Sequence, residues 1–136
     1  MKRVAVLMAK GYEEGETLTI VDLLRRANIE CHTFYFDNEF VEGMHHMMIK
    51  ADQKFGDEIK DYDVLVLPGG RPGGENLRNN EDVIQMVQYF NQHHKILAAM
   101  CSGTIVLSDA QVLEGKKVTG YTGHEEKVTG GLFLND

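Results

Sequence analysis

The stretch Ile96-Leu97-Ala98-Ala99-Met100-Cys101-Ser102-Gly103-Thr104 changes character at one residue. Five apolar residues read as a short buried strand. Cys101 follows, then Ser102, Gly103 and Thr104, then Ile105-Val106-Leu107, which can pack as a helix. A strand that turns into a helix at a nucleophilic residue is the geometry of a nucleophile elbow. Such a turn lifts the sulfur above the carboxyl end of a sheet. It also sets the sulfur at a helix N-terminus, where N–H groups and the dipole favour thiolate. The competing reading is a buried cysteine used as a small hydrophobe.

A thiolate needs a proton partner and donors for the charge that its attack creates. Glu16 is the carboxylate best placed to stand over Cys101 if the segment after the first strand returns to the same rim. A buried carboxyl beside sulfur has its pKa raised, so it can relay a proton. Gly70 can bring its N–H close to a reacting atom because it has no side chain, and the Ser102 N–H directly follows the nucleophile. Both suit an oxyanion hole. Each feature has a plainer alternative. Glu13, Glu14 and Glu16 also suit a solvated helix start, and Gly69-Gly70 suits a tight turn.

The elements that must position these groups are legible in order. Val4-Ala5-Val6-Leu7-Met8 is an unbroken apolar run, as in strands buried on both faces of a parallel sheet. Gly11 gives a loop, and Leu18, Val21 and Leu24 repeat at helical spacing up to Arg25-Arg26, with Asn28 as cap. Ile29 to Phe36 is a second strand, which makes the opening a βαβ unit. Phe40 to Ile49 suits a hairpin, and Lys50 to Lys60 reads as loop with a helical turn. Asp63-Val64-Leu65-Val66-Leu67 is a third strand, ended by Pro68-Gly69-Gly70, and a loop continues through Gly73-Gly74. Asn80 caps a helix that runs to about His93, with Val83, Val87 and Phe90 as its buried stripe. Lys117 to Gly120 is a short strand, and Tyr121 to Asp136 reads as mostly turn and loop. Alternating strands and helices predict an α/β three-layer sandwich with a mostly parallel central sheet. Ligands in such folds bind beyond the carboxyl ends of the strands. Three turns, carrying Glu13–Glu16, Pro68-Gly69-Gly70 and Cys101, would meet there.

Bulk properties narrow the class. The chain has 136 residues, which suits one domain with one core. A net charge of −7 argues against nucleic acid or anionic membranes as partners, and no apolar run has the length of a membrane span. Cys31 and Cys101 are the two cysteines and have no zinc spacing, so free thiols in a cytoplasmic protein are the simplest reading. His45-His46 and His93-His94 are adjacent pairs, whose side chains diverge. They make poor chelates and suit the surface, so no metal is expected. His32 reads as packing, and His124 is a distant catalytic candidate. Gly69-Gly70 and Gly73-Gly74 match no phosphate loop.

Ala9-Lys10-Gly11-Tyr12-Glu13-Glu14-Gly15-Glu16-Thr17, Leu67-Pro68-Gly69-Gly70 and Ala98-Ala99-Met100-Cys101-Ser102-Gly103 together resemble the ThiJ/PfpI family. The match is nearest its parkinsonism-associated deglycase-like subgroup. Lys116-Lys117-Val118-Thr119-Gly120-Tyr121 and Gly130-Gly131 continue it. The resemblance implies a flavodoxin-like sandwich, a homodimer and no cofactor. It implies a reactive Cys101, a partner carboxyl at Glu16 and oxyanion donors at the Gly70 and Ser102 N–H groups, with Glu13, Gly69 and Tyr121 about the pocket. The implied activity is glyoxalase- or deglycase-like, on small α-oxoaldehydes or their adducts. The alternative is a redox-sensing or chaperone-like stress protein that uses oxidation of Cys101. Ser102 stands where the peptidase branch carries histidine, which disfavours a peptidase. Tyr121 stands where some members place a histidine near the cysteine. Relatives continue with a further strand and a C-terminal helix, so residues 1–136 are expected to form one domain without them.

Overall fold

A computed structural model describes residues 2–119 and 130–133. Strand β1 is Arg3–Leu7, β2 is Glu30–Tyr35, β5 is Gln53–Lys54, β6 is Val64–Leu67 and β7 is Ile96–Ala99. They form one parallel sheet in the order β5-β2-β1-β6-β7. Helix α1, Glu14–Arg26, follows β1. Helices α2, Gly73–Arg78, and α3, Glu81–Gln92, lie between β6 and β7, and α4, Thr104–Asp109, follows β7. Outside the main sheet, β3 (Phe40–Glu42) and β4 (Met48–Lys50) form an antiparallel hairpin, and β8 (Lys117–Val118) pairs with β9 (Leu132–Phe133).

The alternation of β1 builds two cores. Val4 and Val6 point to one face, where they pack with Val66, Cys31 and Val21 of α1. Ala5 and Leu7 point to the other, where Leu65, Leu67 and Phe34 meet Leu77, Val87, Phe90 and Val106 from the three later helices. The expected three-layer α/β sandwich is therefore present: one helix, the sheet, then three helices. Asn80 caps α3 as expected, its Oδ1 accepting from the Asp82 N–H at 3.0 Å and the Val83 N–H at 3.3 Å. Such a cap contributes on the order of 1 kcal/mol. Asn28, with φ 60°, sits one residue past the α1 C-cap Ala27, where a left-handed residue ends a helix.

Three expectations need correction. Residues 50–60 supply an edge strand besides the helical turn at Asp57–Asp61: Gln53 and Lys54 pair with Phe34 and Tyr35. The run through Gly73-Gly74, expected as loop, is the start of α2. Glycine disfavours helix locally, yet close packing requires it here. A Cβ on Gly73 would sit 2.7 Å from the Gly11 carbonyl oxygen, and one on Gly74 would sit 2.6 Å from Ser102 Oγ. The segment expected as mostly turn also carries β9. Tyr121 and His124 lie outside the described residues.

The strand order reverses direction between β1 and β6. Loops leave that point toward opposite faces and open a crevice at the carboxyl ends. Residues 8–13 leave β1 there, residues 68–72 leave β6, and Cys101 leaves β7 next door.

Candidate active site

Cys101 has φ 53°, in the left-handed region that a side chain rarely adopts. A single 3₁₀ turn, Cys101–Gly103, follows before α4 begins. Backbone in such a conformation is strained and persists only where its surroundings hold it. Neighbouring groups supply that hold. The Gly103 N–H donates to the Met100 carbonyl at 2.8 Å, and Thr104 Oγ1 donates to the Cys101 carbonyl at 2.8 Å. Ser102 is 2% exposed, and its Oγ donates to the Gly70 carbonyl at 3.0 Å. A Cβ on Gly103 would collide with the Leu67 carbonyl oxygen. The elbow is thus locked to the β6 loop.

Gly69 stands between the two residues singled out by the sequence. A Cβ there would lie 2.7 Å from Cys101 Cβ and 2.8 Å from Glu16 Oε1. The Gly69 N–H donates to Glu16 Oε1 at 3.2 Å, while its carbonyl accepts from the Glu13 N–H at 2.9 Å. Gly70 has φ 115°, and a Cβ on it would strike the Gly11 carbonyl. Among the described residues no acceptor pairs with the Gly70 N–H. Glu16, Cys101, Gly70, Ser102 and Glu13 border one cavity of about 390 Å³. Gly69 lies directly against Cys101 and Glu16.

Electrostatics departs from expectation at the sulfur. Burial pushes the Cys101 thiol up. The nearby Glu16 and Glu13 charges push it further, while the Ser102 N–H and Arg71 pull it down. The helix-terminus advantage expected from the sequence is outweighed. The turn is only partly open to water, and two carboxylates face it. Glu16 is also raised, first by burial and then by Glu13, against the Gly69 N–H and the Cys101 thiol, which hydrogen-bond its ionised form. Both groups are thus shifted upward, and each lies in the other's field.

The three glutamates have separate tasks, not one solvated helix start. Glu13 is the N-cap of α1, accepting from the Gly15 N–H at 3.0 Å and the Glu16 N–H at 2.9 Å. Glu14 is 4% exposed and turned toward the β3–β4 hairpin. It accepts from the His45 N–H at 3.0 Å, the Met47 N–H at 3.2 Å and His45 Nδ1 at 3.0 Å. Burial opposes its charge, but these bonds and its own N–H outweigh it and hold the carboxyl below the usual range. The Tyr12 hydroxyl beside it is pushed up to about 12, by burial and then by the Glu14 charge.

Met44, His45 and Arg71 also border the cavity. None was singled out in the sequence. His45 was placed on the surface as half of an adjacent pair, and nothing local shows that the hairpin turn lands on a glutamate 31 positions earlier. Glu13, Glu14 and His45 bring ligand atoms within 4.8 Å of one another, the only such group among the described residues. The Glu14 oxygens are already engaged by hairpin amides, so the cluster serves to hold the turn.

Cys31 lies away from the site, 3% exposed against α1, and its thiol is raised first by burial. His32 packs edge-on to Tyr62 and its Nδ1 lies 2.8 Å from the Tyr62 hydroxyl, as the packing reading requires. No described helix is long and apolar enough to cross a membrane.

The DJ-1/PfpI family profile matches residues 2–135. Over 133 residues the chain is 34% identical to the Parkinson disease protein 7 homolog of Danio rerio, covering 96% of this chain and 70% of that one. It is 30% identical to Deglycase PfpI of Pyrococcus furiosus, covering 96% and 79%. It is 34% identical to Protein DJ-1 homolog A of Arabidopsis thaliana, of which it spans only 33%. Among solved structures, Drosophila melanogaster DJ-1beta superposes with a TM-score of 0.91 at 26% identity, covering 100% of this chain and 75% of that one. With its elbow, parallel sheet and matched length, the chain belongs to the DJ-1/PfpI family.

Proposed function

We propose that the protein is a cofactor-independent, cysteine-dependent enzyme acting on small α-oxoaldehydes or their adducts. One observation carries the reading: a strained cysteine and a raised carboxyl face each other across Gly69 at the mouth of one cavity. The deglycase name of the Pyrococcus furiosus relative supports the substrate class.

The chemistry uses the chain's own groups. Cys101 Sγ bonds to the aldehyde carbon while the carbonyl π pair moves onto oxygen. The thiol proton passes to Glu16, which returns it to that oxygen. A neutral thiol loses little by this, because the acceptor is adjacent and its pKa has risen toward that of the donor. The Gly70 and Ser102 N–H groups hold the developing oxyanion, and an oxyanion donor contributes roughly 3 kcal/mol. Moving the hydrogen of the aldehyde carbon to the neighbouring carbon then gives a 2-hydroxyacyl thioester. Water cleaves it to a 2-hydroxy acid and frees the thiol. One carbon is oxidised and its neighbour reduced by the same two electrons, so no external redox partner enters.

Acid quench of the protein during turnover of methylglyoxal tests the covalent route. A 2-hydroxyacyl group on the Cys101 peptide is expected in the mass spectrum. Lactate that accumulates with Cys101 never acylated overturns the route.

A further inference from the structure

The proposed reaction needs a second proton transfer, between two carbons, besides the one that Glu16 makes between sulfur and oxygen. His45 is the other titratable group with the chemistry for it. It sits in the turn of the β3–β4 hairpin and borders the same cavity as Cys101, Glu16 and Gly70. Its ring is oriented. Nδ1 lies 3.0 Å from Glu14 Oε1 and 3.6 Å from Glu13 Oε1. Glu14 is buried and ionised, so it can only accept, and Nδ1 carries the hydrogen. In that tautomer the lone pair lies on Nε2.

The turn itself is fixed. Glu14 also accepts from the His45 and Met47 N–H groups, and the Met44 N–H donates to the Tyr12 carbonyl at 2.8 Å. A Cβ on Gly43 would collide with the Glu14 carboxyl, so the backbone lies directly on it. A buried carboxylate that orients an imidazole at a nucleophile's cavity is the arrangement of an acid–base dyad. The imidazole stays 62% exposed, so it can exchange protons with solvent between turnovers.

Building on the proposed function, we infer that His45, oriented by Glu14, is the acid–base group that moves the carbon-bound proton. In the Cys101 hemithioacetal, Nε2 takes the hydrogen of the former aldehyde carbon, the C–H pair becomes the C=C bond of an enediol anion, and the neighbouring carbonyl's π pair moves onto its own oxygen. Nε2–H then returns that proton to the neighbouring carbon. The hydroxyl proton of the first carbon passes to the second oxygen, which leaves a thioester carbonyl and a 2-hydroxyl. Atoms and electrons balance, and the imidazole ends as it began.

Lactate formation from methylglyoxal by wild type, Cys101→Ser, His45→Gln and His45→Ala tests the assignment. His45→Gln should lose about 100-fold in kcat with KM changed less than about threefold. Iodoacetamide should still label its Cys101 at the wild-type rate. Added imidazole should restore part of the His45→Ala rate, which a purely structural loss would not allow. His45→Gln running at the wild-type rate while Cys101→Ser is inactive overturns the His45 assignment alone. A wild-type protein that makes no lactate, or a Cys101→Ser variant as fast as wild type, overturns the underlying reading with it.

Discussion

At the scale of single residues, the sulfur sits where its surroundings oppose ionisation. Burial and two carboxylates push Cys101 up, and the site answers by placing a raised carboxyl beside it. Iodoacetamide labelling of Cys101 should therefore rise with pH at a midpoint above the ordinary cysteine value. Removing the Glu16 charge with Glu16→Gln should move that midpoint down, while lactate formation falls by about 100-fold because the proton relay is gone. Rapid mass-spectrometric labelling checks the first, and a pH series on both proteins checks the second. Cys31, buried at 3% exposure, should label far more slowly than Cys101. Gly69→Ala is the sharpest steric test. Its new methyl would lie 2.7 Å from Cys101 Cβ, so turnover should fall at least about 10-fold as the reacting groups are displaced. Circular dichroism would show the sheet intact.

At the scale of elements, the Glu14 carboxylate fastens the hairpin turn to the start of α1, beside the Gly11 N–H on the Glu42 carbonyl and the Met44 N–H on the Tyr12 carbonyl. Glu14 is depressed in the folded state relative to its ordinary value of 4.5. Its stabilisation is therefore fully present above that value and is lost as pH falls through the lower, folded one. Hydrogen exchange at the His45 and Met47 amides should accelerate on acidification before the sheet amides do. Glu14→Ala should destabilise the protein by about 2 kcal/mol, since the part-buried His45 and Met47 amide bonds lose their charged acceptor. Urea unfolding reads that loss. The elements also differ in how visible they were beforehand. Strands β1 and β6 were legible because burial on both faces demands unbroken apolar runs; β7 has such a run too, but lies at the end of the sheet with Ile96 50% exposed rather than buried as expected. The cap at Asn80 was legible because its chemistry is local. Strand β5 was not, since two polar residues at a sheet edge carry no periodicity. Helix α2 was hidden because Gly73 and Gly74 answer to Gly11 and Ser102, which are distant in sequence. The Glu16–Gly69–Cys101 convergence followed from where each strand ends. The Glu14–His45 contact did not, because it depends on where a hairpin folds back.

At the scale of the whole molecule, the parallel sheet is the rigid body that brings three turns to one crevice. Its larger core must be intact for the site to exist. Phe90 is fully buried against β6 and β7 residues, and Phe90→Ala should cost about 4 kcal/mol and lower activity in parallel with the folded fraction. Thermal unfolding followed alongside lactate formation checks that the two fall together. A site variant such as His45→Gln should separate them, losing turnover at unchanged melting temperature. One sulfur is the centre of the proposed chemistry. Lactate formation from methylglyoxal by wild type and by Cys101→Ser tests it most directly. The serine variant should lose at least about 1,000-fold. Equal rates in the two proteins would contradict it.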